Sequence, residues 1–192
     1  MKRSMLYGAV AAGLLGFSMA ASADFSGYYA PAQWLVGHAP DASTDFGSVD
    51  TTGAPGSITL IGSNSNPAVE TFSSVDFTII APAAGSFSFN WAYTSTDTAG
   101  AFYDPAGYRK NGQFQLTADG GGNSQSGLVS VLVAAGDTIG FHVTTLDNLG
   151  GSASLTISNF HAPVPEPASV AMMALGLVGL VGVAAVRRRR LP

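Results

Sequence analysis

The sequence predicts an all-β protein: an antiparallel β-sandwich or jelly-roll-like domain, preceded by a signal peptide and followed by a single C-terminal transmembrane helix. Three observations carry this reading. From Ser57 onward apolar and polar residues alternate at period two, the side-chain period of a half-buried strand. Clusters of Gly, Asn, Asp and Pro cut that pattern into short segments, none with the period of an amphipathic helix; such a series closes most economically into two packed sheets. The two ends differ from this middle, each being an apolar stretch beside basic residues.

At the N-terminus, Met1-Lys2-Arg3 leads into an apolar stretch from Met5 to Ala20 and then Ala21-Ser22-Ala23. A basic start, a short apolar run and small residues at −3 and −1 describe a secretory signal peptide over 1–23, with cleavage before Asp24. The sandwich domain is then expected over 24–161. Its first part, Asp24 to Gly56, spreads Tyr28, Tyr29, Trp34, His38 and Phe46 among Pro, Gly and Asp without a clear period. Only a strand near Trp34–Val36 is expected there.

The strands that follow are better marked. Ile58–Ile61 lies between Gly56 and Gly62, and Val75, Phe77 and Ile79 alternate with polar neighbours. Phe87, Phe89, Trp91 and Tyr93 alternate with Ser86, Ser88, Asn90 and Ala92, which predicts four aromatics on one inward face. Tyr108 to Leu116 reads as a hairpin, because Asn111-Gly112 suits the two positive φ angles of a type I′ turn. Leu128–Val133, Ile139–Val143 and Ala153–Ile157 complete seven to nine strands.

After this domain comes a proline-rich linker over 162–167, expected to be extended, and then an uncharged run of 19 residues, Ala168 to Val186. At ~1.5 Å per residue it spans ~28 Å, the thickness of a hydrocarbon core. Gly176, Gly179 and Gly182 weaken its hold on lipid, so it reads as a transient anchor. The tail 187–192 carries Arg187, Arg188, Arg189 and Arg190, which keep it cytoplasmic.

Pro165-Glu166-Pro167, one apolar helix and a terminal arginine cluster, in that order, resemble the PEP-CTERM sorting signal of Gram-negative bacteria. The resemblance covers about 28 of 192 residues. It implies export through an inner-membrane intermediate, recognition by an exosortase (a membrane-embedded cysteine transpeptidase), removal of the helix and tail, and delivery to the cell surface or beyond. Phe89-Asn90-Trp91, Phe102 to Tyr108, Ala135 to Thr138 and Ser154 to Phe160 also resemble the sandwich domains that many such proteins carry.

Charge and chemistry narrow what the exported part does. Six of the eight basic residues lie in the two terminal signals, leaving Arg109 and Lys110 against eleven acidic residues, a net of −9. That balance repels phosphate backbones and argues against nucleic acid as a partner. The chain has no cysteine, so disulfides, catalytic thiols and Cys-ligated zinc are excluded. No Gly-x-Ser-x-Gly elbow occurs, and of His38, His142 and His161, His142 is expected to face solvent from a strand while His161 falls beside the linker. Glu70 is the only glutamate of the domain, so no carboxylate pair for glycoside hydrolysis can be named.

The remaining chemistry is calcium. Asp97 and Asp104 follow the aromatic strand, and Asp147 and Asn148 follow the Phe141 strand, so loops at one end of a sandwich can gather their oxygens. The competing expectation is that these residues make Asx turns. The sequence thus points to a non-catalytic surface or matrix protein that associates with exopolysaccharide of a biofilm. The alternative is a secreted glycan-acting hydrolase that uses Asp and Glu carboxylates.

Overall fold

A computed structural model describes residues 22–39, 47–65, 72–165 and Gly176. The described residues form eleven strands: β1 (Ser22–Ala23), β2 (Leu35–Ala39), β3 (Ser48–Asp50), β4 (Ser57–Ile61), β5 (Ser73–Ile80), β6 (Gly85–Ser95), β7 (Ala106–Lys110), β8 (Gln113–Gln115), β9 (Ser124–Val133), β10 (Thr138–Thr145) and β11 (Ala153–Pro163). They make two antiparallel sheets. One runs β3-β4-β11-β6-β9, with β1 added to β11, and the other runs β2-β5-β10-β7-β8. This is the all-β sandwich that the alternation predicts. The signal-peptide residues before Ser22, the span 168–186 and the arginine tail lie outside the described residues, Gly176 apart. Among the described residues no helix is long and apolar enough to cross a membrane.

Period two decides what each strand buries. Ile58 and Leu60, Val75 and Phe77, Phe87 and Phe89, Phe141 and Val143, and Leu155 and Ile157 all point inward and are buried. Register joins them across strands: Phe141 lies opposite Phe77 on one side and Tyr108 on the other. Phe89 meets Phe141 from the facing sheet, ring centroids 5.0 Å apart and nearly perpendicular, the edge-to-face arrangement that aromatic quadrupoles favour.

The segment without a clear period turns out to cap the sandwich. Two 3-10 turns, Gly27–Tyr29 and Pro31–Gln33, bring Phe25, Tyr29 and Trp34 into the core. Trp34 stacks on Phe77 at 4.7 Å and donates its indole N–H to the Tyr29 carbonyl at 2.9 Å. Phe25 stacks on Phe160 at 4.4 Å. The expected first strand at Trp34–Val36 starts one residue later, because Trp34 closes the preceding 3-10 turn.

Four further expectations are corrected. Trp91 packs against the core but is only half-buried, unlike Phe87, Phe89 and Tyr93; its partner on the edge strand β9 is Gly127, which has no side chain to cover the indole lying against it. The Asn111-Gly112 turn is not type I′: Asn111 alone takes a positive φ, 58°. Its side chain is held by Asp137 Oδ1 at 2.8 Å and by the Thr138 amide at 2.9 Å, which ties this hairpin to the next turn. His161 is a strand residue of β11, paired with Ser88. The chain expected as a linker from Ala162 is folded through Pro163, with both residues buried and Tyr29 Oη donating to the Pro163 carbonyl at 2.7 Å. β1, which pairs with these residues, is built from Ser22 and Ala23 on the signal side of the expected cleavage.

Candidate functional site

Two polar regions stand apart from the apolar core. The first is the sandwich end opposite the aromatic cap, where β6 and β10 run out and β11 begins. Ser95, the last residue of β6, organises it. Its hydroxyl donates to Asp104 Oδ2 at 3.1 Å and accepts from the Asp97 amide at 3.0 Å. Tyr93 Oη donates to the Asp104 carbonyl at 2.9 Å. The loop after β10 closes on the same place: Leu146 N–H donates to the Tyr103 carbonyl at 2.7 Å, and Asn148 N–H to Thr145 Oγ1 at 3.1 Å. Gly150, at φ 77°, lies against the Asp97 carboxylate, where a β-carbon would collide.

The structure therefore gathers Asp97, Asp104, Asp147 and Asn148 at one end. What it makes of them is mostly turns. Asp97 Oδ1 accepts from the Ala99 amide and Asp147 Oδ1 from the Leu149 amide at 3.0 Å, the local pattern of Asx turns. Asp104 differs. Burial pushes its carboxyl up to about 6; the hydroxyls of Thr145 and Ser95 pull it back, and the negative charges of Asp97 and Asp147 add to the rise. Its Oδ1 receives no hydrogen bond of full geometry. Among the described residues no three His, Cys, Asp or Glu side chains converge closely enough to hold a metal ion. The hydroxyls of Ser95 and Thr145 serve the buried Asp104 carboxyl, while Asp97 and Asp147 serve backbone amides of their own loops.

Beside these buried acids stands an exposed aromatic pair. Phe102 and Tyr103 pack edge to face at 4.9 Å, with Leu146 exposed next to them in the adjoining loop. They had no sequence signal beyond two rings placed between Gly100 and the turn-forming Asp104-Pro105.

The second region is the outer face of the β2-β5-β10-β7-β8 sheet. His142 lies between Asp76 on β5 and Gly107 on β7, and Arg109 Nε makes an ion pair with Asp76 Oδ1. The expectation that His142 faces solvent is overturned: it is 6% exposed. The reason is Gly107, whose missing side chain leaves the space that the imidazole fills. Burial pushes His142 down to about 4, against the attraction of Asp76 and with the repulsion of Arg109. Neither imidazole nitrogen meets a hydrogen-bond partner, so no serine or acid is arranged around it as a triad.

Hydrolysis of a glycosidic bond needs two carboxyls that reach the substrate from either side. Asp97 and Asp104 are buried to 3% and 1% exposure, Asp76 is engaged by Arg109 on the other face, and Glu70 lies outside the described residues.

Residues 163–190 match the PEP-CTERM protein-sorting motif. No curated protein matches the chain. Among solved structures, a family 35 carbohydrate binding module from Clostridium thermocellum is 15% identical, with a TM-score of 0.33 over 66% of this chain and 92% of that one. A CBM35 from Cellvibrio japonicus is 18% identical, with a TM-score of 0.33 over 68% and 99%. The C-terminal CBM6 of a marine laminarinase from Zobellia galactanivorans is 14% identical, with a TM-score of 0.32 over 66% and 99%.

Proposed function

We propose, from the premise that residues 163–190 carry the PEP-CTERM sorting motif, that this chain is an exported, non-catalytic surface or matrix protein. An exosortase takes it at the inner membrane, removes the helix and arginine tail after Pro165-Glu166-Pro167, and the β-sandwich then associates with exopolysaccharide of the biofilm matrix.

The observation that carries the binding role is the Phe102–Tyr103 pair, 52% and 36% exposed beside carboxyls that are themselves buried. The negative face of an aromatic ring attracts the weakly positive C–H edge of a sugar ring. The buried acids shape the loop and do not reach a substrate. An acidic domain that carries few cations suits a neutral polysaccharide better than an anionic one.

Affinity electrophoresis of the released protein through gels containing neutral exopolysaccharide tests the binding. Retardation is expected, and the Phe102→Ala/Tyr103→Ala variant should migrate as in an empty gel. Wild-type protein that is never retarded would defeat the reading. Intact mass tests the handling: the exported form should start at Asp24 and end near the Pro-Glu-Pro motif. A surface form still carrying Ala168 to Pro192 would leave a plain single-span membrane protein.

A further inference from the structure

β9 closes one side of its sheet, and among the described residues no strand pairs with its outer edge. It is ten residues long and contains no charge and no proline. Free edges of that length are normally protected by lysine, proline, a bulge or a covering loop, because their unpaired N–H and C=O groups template another strand. β9 carries no lysine and no proline, and beyond Gln125, which the 118–122 loop contacts, no strand among the described residues covers it; Leu128 and Leu132 stand on the outer face at 71% and 75% exposure. Ser130 lies between them on the same face, and the half-buried Val129 and Val131 alternate on the other.

We propose that β9 pairs antiparallel with β9 of a second copy of this chain, about a twofold axis through Ser130. In that register Leu128 of each copy faces Leu132 of the other, Val129 faces Val131, and Ser130 faces itself. Every cross-strand pair from 127 to 133 is then apolar or small, the pairing that stabilises antiparallel strands. A one-residue slip would set leucines against valine positions on the opposite face of the sheet.

The symmetric order Leu128-Val129-Ser130-Val131-Leu132 selects the second copy, and charge selects this edge. Two domains of net −9 repel each other over most of their surfaces; β9 is an uncharged line along which they can meet. The contact is isologous and closed, so it yields dimers with one continuous sheet rather than fibres.

The chain contains no cysteine, so crosslinking reads the register directly. Directly opposed residues of an antiparallel pair have α-carbons about 4.5–5.5 Å apart, within the range of about 4.4–6.8 Å that a disulfide spans. The released Ser130→Cys protein should oxidise to a disulfide-linked dimer at micromolar concentration, whereas Ser126→Cys, set against position 134, should not. Sedimentation of the wild type should show a monomer–dimer equilibrium, and Leu128→Lys should weaken it by on the order of tenfold while leaving the melting temperature of the monomer unchanged. A monomer at every concentration with Ser130→Cys left reduced overturns the proposal. So does equal crosslinking at positions 126 and 130, which would mean unspecific association or another register.

Discussion

The imidazole of His142 lies on the α-carbon of Gly107, its neighbour across the β10–β7 ladder. A β-carbon at position 107 would overlap His142 Nε2, and the Phe114 carbonyl occupies the same space from the other side. This glycine is required by its neighbours and not by a turn, since its φ is ordinary for a strand.

Gly107→Ala should therefore destabilise the domain by about 1–3 kcal/mol, the usual cost of forcing a methyl into filled space. The measurement is urea unfolding of the two proteins side by side. Adding His142→Ala should recover only part of the loss, because the Phe114 carbonyl is backbone and stays. An unchanged midpoint in Gly107→Ala would show that the imidazole is free to swing out.

His142 also sets a pH dependence. Its folded pKa, about 4, lies below the ordinary ~6.5 of the unfolded chain, so the unfolded state binds more protons between these values. Its contribution is fully present above pH ~6.5 and is lost as pH falls toward 4, amounting to about 3 kcal/mol. Asp104 titrates in the opposite sense over much of the same window, its raised pKa of about 6 favouring the fold as pH falls. The comparison is therefore wild type against His142→Gln: between pH 7 and 4 the wild type should lose that much more stability. Parallel profiles would mean that the imidazole is solvated.

The two tryptophans should separate by burial. Trp34 is 6% exposed and stacked between Phe77 and Phe141, so Trp34→Ala should cost about 3–5 kcal/mol. Trp91 is half-buried against an edge strand, and its removal should cost roughly half as much. Thermal unfolding of both variants checks the order. A Trp91 variant that is the less stable of the two would mean that the β9 edge is covered more tightly than Gly127 suggests.

Calcium gives the fourth comparison. With Asp97 and Asp147 closing Asx turns on their own loops, millimolar calcium or a chelator should leave the melting temperature unchanged. A ligand that binds only the folded state raises it, so a calcium-dependent rise abolished by Asp104→Asn would show that the four oxygens close on an ion after all.

The sequence by itself determined the things that depend on local period and composition. Alternation across Phe87–Tyr93 and Val75–Ile79 named the strands and most of their inward residues, because a strand's two faces are fixed by side-chain parity alone. The order Pro-Glu-Pro, apolar run, arginine cluster marked the sorting motif, because linear spacing is all that signal requires. Only the tertiary structure decided what depends on neighbours far along the chain. Asp76 meets Arg109 and His142 becomes buried because β10 pairs with both β5 and β7. Trp91 loses part of its expected burial because its partner on the edge strand is Gly127, which offers no side chain to cover it. Phe25, Tyr29 and Trp34 join the core without any period, because two 3-10 turns fold them over the end of the sandwich. Asp97, Asp104 and Asp147 were expected at one end and arrive there, but whether their oxygens serve turns or an ion is set by which backbone amides each one meets, and no spacing in the sequence encodes that.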